Sequence, residues 1–151
     1  MKKLVALSLL ICFLSFDLAA QQVEYKIVTV VESIVPGGLG RSRILEETDD
    51  VNSDDVTEVR TDGKKTNMGD VKRKDLKVES FRESKLLNFY SLAGINFQNI
   101  ASNDAVISDK INKLSQEGWE LAFMSSGVES NSGELDGEGI FITRFVFKRK
   151  L

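Results

Sequence analysis

Three hydrophobic patterns recur along this chain, and each predicts a different element. The clearest run covers residues 103–126, NDAVISDKINKLSQEGWELAFMSS. Ile107, Ile111 and Leu114 are spaced four and then three residues apart, which places them on one face of a helix. Asp109, Lys110, Asn112, Lys113 and Gln116 fill the other face. Asn103 or Ser102 supplies the N-cap, and Asp104 adds negative charge at the positive end of the helix dipole. Gly118 stands where a left-handed residue ends such a helix, because glycine takes positive φ without a Cβ penalty. Trp119, Leu121 and Phe123 then alternate, which points all three to one side of a strand. Burying them is worth roughly 2 kcal/mol each. The expected core is therefore Trp119, Leu121 and Phe123 packed with Ile107, Ile111 and Leu114.

The second pattern is β-branched and alternating. Residues 23–34, VEYKIVTVVESI, predict a strand with Tyr25, Ile27, Thr29 and Val31 on one face and Lys26, Val28, Val30 and Glu32 on the other. Pro36-Gly37 is a turn signal, Gly38 and Gly40 extend it, and residues 41–47 read as the return strand of a hairpin. Residues 140–148, IFITRFVFK, are apolar on both faces, as befits a strand near the middle of a covered sheet or at a partner interface. Lys148, Arg149 and Lys150 close that strand with charge that guards against aggregation.

The third pattern is the near absence of large apolar residues in residues 48–77, a polar insertion that buries too little surface to order itself independently. Residues 78–92 carry two signals. Ser80 and Glu83 match a capping box with a helical stripe at Leu86, Leu87 and Tyr90, whereas LLNFYSL before Ala93-Gly94 suits a strand, which is the favoured reading. Residues 94–102 read as a connector whose Ile95, Phe97 and Ile100 tuck under the following helix. Together the elements predict an α+β fold: a mainly antiparallel sheet with one principal helix packed on one face.

Composition adds a destination. Of the 151 residues, 1–20 begin with Lys2 and Lys3, continue through an apolar run and end in Leu18-Ala19-Ala20, the pattern of a secretory signal peptide cleaved after Ala20. The expectation is export to the periplasm or the exterior, with residues 21–151 as a single domain. The apolar run is too short to span a bilayer comfortably, and no later stretch qualifies, so no transmembrane span follows cleavage. Cys12 follows Leu10-Ile11 and lacks the small residue that precedes a lipidated cysteine. The remainder holds neither cysteine nor histidine, which excludes disulfides, Cys/His metal sites and triads that need an imidazole base. Removing Lys2, Lys3 and Asp17 from 20 basic and 23 acidic residues leaves 18 and 22, a net charge of −4. Such an acid balance argues against nucleic-acid binding through phosphates.

Candidate chemistry is sparse. The glycine-rich loop after Pro36 has neither phosphate-loop spacing nor a dinucleotide fingerprint, and no helix follows it, so it reads as a hairpin loop. Arg41 and Arg43 on the return strand are the candidate contacts for an anion or a partner. Asp50, Asn52 and Asp54 imitate the start of a calcium loop, yet Asp55 replaces its glycine and Thr61 its bidentate glutamate. Glu129, Glu134, Asp136 and Glu138 lie in a Gly/Ser/Asn-rich loop without a defined ligand spacing. A carboxylate hydrolase would need two acids held close in a cleft, and most acids here fall in loop-like runs. No catalytic, cofactor or metal residue is predicted.

Tyr25-Lys26-Ile27-Val28 in an early strand, Glu117-Gly118-Trp119-Glu120-Leu121 at the helix end and Phe147-Lys148-Arg149 in the last strand form a recurring set. With them the chain resembles a family of small bacterial domains of unknown function that share a Gly-Trp-Glu-Leu signature. The resemblance covers the two ends of the mature chain; the usual short form of that family has no counterpart to residues 48–77. It implies a compact sheet-and-helix domain with Trp119 in the core, and it brings no catalytic residues. The expected function is that of an exported, non-catalytic module that binds a protein or another envelope component. The alternative is a binder of a small ligand, anion or cation.

Overall fold

The computed structural model describes residues 22–34, 42–91, 93–128 and 139–151. Five strands form one antiparallel sheet: β1 (Val23–Ser33), β2 (Arg43–Glu47), β3 (Phe81–Lys85), β6 (Glu120–Val128) and β7 (Ile140–Lys150), in the order β3-β2-β1-β7-β6. A separate two-stranded pair, β4 (Tyr90–Ser91) and β5 (Gly94–Ile95), precedes the one long helix, α1 (Phe97–Gln116). The fold is α+β, mainly antiparallel, with one main helix. The signal-like segment 1–20, the Pro36-Gly37 turn and the acidic residues of loop 129–138 lie outside the described residues.

β7 is an interior strand, as its two apolar faces require, and pairs with β1 along the full length of both strands, from Val23 opposite Lys150 to Ser33 opposite Ile140. The β1–β2 hairpin sets Val30 opposite Ile44 and Val28 opposite Glu46. Val28, Val30, Ile44 and Phe147 from the sheet, Leu114 from α1, and Leu86 and Trp119 form the buried core, with Ile107, Ile111 and Phe145 packed against it. On β1 the helix therefore covers the face that carries Lys26 and Glu32 at its ends. The more apolar Tyr25–Ile27–Val31 side is left open. Charge does not oppose this choice, because each end group finds a partner on the helix side. Lys26 lies 5.0 Å from the Trp119 ring centre, and Glu32 accepts a hydrogen bond from Asn103 at 3.1 Å. A third link is the Lys110–Glu46 ion pair at 2.5 Å, which ties α1 to β2.

The helix starts earlier than its periodicity predicts. Asn96 is the N-cap, accepting from the Asn99 N–H at 3.1 Å, so 97–102 are helical rather than connector. Asn103, expected at the cap, sits inside the helix at 1 % exposure. Its amide serves the irregular segment 86–89 instead, accepting from Leu87 N–H at 2.8 Å and donating to Leu87 C=O at 2.8 Å. Asn99 donates to Asn88 C=O at 2.7 Å. From the sheet side, the segment's Leu86 N–H reaches Ser42 C=O and its Phe89 N–H reaches Ser33 C=O. The strand expected over 78–92 forms only at β3 and β4, because between them the backbone bonds to side chains and strand ends rather than to a ladder. The capping box at Ser80 and Glu83 does not form: Ser80 N–H bonds Asp49, and Glu83 pairs with Arg43 at 2.7 Å.

Residues 48–77 are held by local turns. Two short 3-10 helices, Ser53–Val56 and Met68–Asp70, and a Thr61–Lys65 bridge organise them, and no residue from 47 to 85 is buried.

Two predictions follow from the helix-to-loop seam. Asn103→Ala removes both part-buried hydrogen bonds to the Leu87 backbone and the one to Glu32, and should lower the unfolding free energy by about 1–3 kcal/mol in denaturant titration. Burial, opposed by the Asn103 hydrogen bond and reinforced by the nearby Asp104 charge, raises the Glu32 pKa above the ordinary glutamate value. Its contribution to stability is therefore full below the unfolded-state pKa and is lost as pH rises through the raised folded-state value. Glu32→Gln should remove that fall, so the stability of the variant relative to the parent should increase from acid to neutral pH. A difference that stays flat with pH would show the carboxyl to be unlinked to folding.

Candidate functional site

The surface that stands out is built by what α1 does not cover. Strand alternation sends Tyr25, Ile27, Thr29 and Val31 of β1 to the side opposite the core. Registers bring Leu45 of β2 and Phe81 of β3 to that side, together with Ile142 and Val146 of β7. Tyr25 is 64 % and Ile27 42 % exposed. At one edge Phe123 joins them, because the β6–β7 register shifts between Leu121 and Phe123. Leu121 lies opposite Phe147, on the helix side, whereas Phe123 lies opposite Val146, on the open side.

That bulge corrects one expectation. Trp119, Leu121 and Phe123 do not share a face, and only Trp119 is core. Leu121 is 49 % and Phe123 63 % exposed, because β6 is the edge strand and α1 does not reach over it. Trp119 is buried beneath two cations, Lys26 and Arg149, the latter 4.4 Å from the ring centre. Arg149 is also held by Glu24 at 2.7 Å. The indole is thus sealed within the fold and offers no stacking surface for a ligand. Leu114 is buried, and Ile107 and Ile111 pack against the core.

Arg43 stands on the open side of β2, paired with Glu83. Arg41 lies outside the described residues. Asn52 does not wait for a cation: its side chain caps the first 3-10 turn through Asp54 N–H and donates to Asp55. Among the described residues, no group of three or more acidic, Cys or His side chains is placed to hold a metal ion. Nor is any helix among them long and apolar enough to cross a membrane.

Arg144 was not singled out by its sequence context, since one charge in an apolar strand reads as an ordinary solvated position. In the fold it lies between Thr29 and Ser125, in the row between Ile142 and Val146, near the middle of the open face. It makes no ion pair among the described residues. Beside it a shallow groove of about 420 Å³ runs past Ser125, Gly127, Ile140 and Ile142. Gly127 opens this groove by withholding a side chain next to Ile142. The arrangement is a largely apolar plane on which Arg43 is paired with Glu83 and Lys148 lies 3.8 Å from Glu120, while Arg144 is set among apolar neighbours without an ion pair among the described residues. It can hold an apolar surface that carries an acid.

Compared with protein-family models, with curated proteins and with solved structures, the chain matches none.

The two sides of the sheet should separate cleanly on substitution. Ile44→Ala should cost about 2–5 kcal/mol of unfolding free energy, the range for a truncated core isoleucine. Ile27→Ala, on the open side, should cost less than about 1 kcal/mol. Similar losses for both in the same chemical denaturation would mean that the open face is covered in solution.

Proposed function

We propose that this chain is an exported, non-catalytic interaction module of the cell envelope, working in the periplasm or outside the cell. Its open sheet face docks on an apolar patch of a partner protein, with an acidic side chain of that partner set against Arg144. The observation that supports this most is the face itself. Tyr25, Ile27, Leu45, Phe81, Ile142 and Val146 lie on a rigid antiparallel sheet on the side away from α1. Soluble chains seldom leave such a contiguous apolar surface without using it. Burial of that area supplies affinity, and pairing of Arg144 supplies register, because an unmatched guanidinium in an apolar interface is penalised. Export rests on the Lys2-Lys3 start, the apolar run and the Leu18-Ala19-Ala20 end. A chain without cysteine beyond that segment has no thiol to cross-link or mispair in an oxidising compartment. The resemblance to small Gly-Trp-Glu-Leu domains fits a scaffold role, since Gly118 and Trp119 serve the turn and the core.

The groove beside Arg144 and Gly127 favours a second reading, a small anionic ligand with an apolar body. One experiment separates the two. A photo-crosslinking residue at Ile27, on the open face, should give an adduct with one discrete envelope protein. The same probe at Lys113, on the solvent side of α1, should not, and Arg144→Glu should abolish the adduct. Equal labelling from both positions, or none from Ile27, would overturn the docking reading. A melting temperature that rises with a small anionic amphiphile in that second case would move the assignment to the groove.

A further inference from the structure

The two edges of the sheet are built in opposite ways. β3 is short, and Arg82, Glu83 and Lys85 occupy three of its five positions, a composition that discourages another strand from adding to it. β6 is nine residues long, has neither lysine, arginine nor proline, and holds its one charge, Glu120, at its first residue. Glu120 is directed inward to Lys148 of β7, 3.8 Å away. Among the described residues the outer edge of β6 bonds to no strand, and its Leu121, Phe123, Met124 and Val128 are all exposed. The bulge at its start disturbs pairing only before Phe123, leaving Phe123 to Val128 regular. One edge is protected and the other is prepared.

We propose that β6 is a self-association site, pairing antiparallel with β6 of a second copy about a twofold axis at Ser125. A second copy fits better than an unlike strand because the uncharged stretch meets itself without like-charge opposition, and twofold pairing closes the assembly at two. The register has a steric reason. Centring on Ser125 sets Phe123 of each copy opposite Gly127 of the other, on the same side of the sheet. The ring then fills the space where an added Cβ at Gly127 would meet nothing within 4 Å. Phe123, 63 % exposed in one copy, is thereby covered. The pairing joins a backbone ladder to the apolar side chains of Phe123, Met124 and Val128 from each copy, all exposed in the single chain. The dimer carries one ten-stranded sheet with both helices on one side; it takes up the Phe123–Gly127 margin of the open face and leaves the part around Tyr25, Ile27 and Phe81 for the partner proposed above.

Sedimentation velocity on the full purified chain tests this. The parent should be a dimer at micromolar concentration. Ser125→Lys and Ser125→Glu each place like charges across the axis; the lysine, beside Arg144, should weaken association on the order of 100-fold, and the glutamate, partly matched by Arg144 of its own copy, by less. Their equimolar mixture should restore a dimer. Circular dichroism verifies that both variants are folded, and amide exchange in residues 123–127 of the parent should slow as concentration rises. Ile27→Lys should leave the dimer intact while removing partner capture, so loss of the open-face reading and loss of this one are distinguishable. A parent that stays monomeric, a dimer indifferent to both Ser125 variants, folded variants whose mixture stays monomeric, or an open-ended polymer would each overturn the proposal.

Discussion

Gly118 takes a φ of +87°, and the two ends of the molecule's main unit hinge on it. With that residue left-handed, Gly118 N–H reaches Ser115 C=O and Trp119 N–H reaches Leu114 C=O, both at 3.0 Å. These are the paired bonds of a Schellman turn, and its usual apolar contact is present because Trp119 and Leu114 belong to one core. The turn satisfies the end of α1, drops the indole beneath the helix and launches β6 along the far side of β7. An L-residue there would adopt the left-handed conformation at a cost of roughly 1–2 kcal/mol. The space beside the glycine is ample, the nearest atom to an added Cβ being Arg149 Cδ at 3.7 Å. Backbone conformation, not crowding, is what requires glycine.

The opposite end of the helix is fixed by hydrogen bonds rather than by burial. Asn99 and Asn103 hold the backbone of 88 and 87, while Ser33 and Ser42 hold that of 89 and 86. Ser42 Oγ also accepts from Ser33 N–H at 2.9 Å and donates to Asn88 Oδ1 at 3.2 Å. An irregular segment can sit between helix and sheet only if its polar groups are paired there. Among the described residues, no buried side-chain polar atom lacks a partner. This seam lets the chain pass from an edge strand towards the start of α1 without a ladder, and it ties the first half of α1 to the ends of β1 and β2.

One helix is too narrow to cover five strands. α1 covers the inner face of β1, β2 and the middle of β7, and nothing among the described elements covers the outer face. The surfaces proposed for recognition follow from that geometry. An apolar plane remains with Arg144 set into it, and β6 remains as an edge that α1 does not reach. The polar residues 48–77 lead from β2 out to β3 and back, adding no burial to either face.

The sequence by itself determined the principal elements and their order, since local period and turn chemistry are read from neighbours, but not the course of residues 78–102. The helical stripe of Ile107, Ile111 and Leu114, the stop at Gly118, the β1 and β7 strands and the α+β class are all legible from residues within a few positions of one another. Which face of each strand is core was not legible. Alternation in β1 offers Tyr25 and Ile27 against Val28 and Val30, and only the helix packed on one side decides between them, accepting Lys26 and Glu32 because Trp119 and Asn103 are there to meet them. Nor does local pattern reveal that a bulge turns Phe123 away from Leu121, or that β6 is an edge, because strand order is a property of distant pairings. Asn103 shows the same limit. Next to a helical stripe it reads as a cap, but the backbone that needs its amide is 16 residues away in sequence and is brought to it only by the fold.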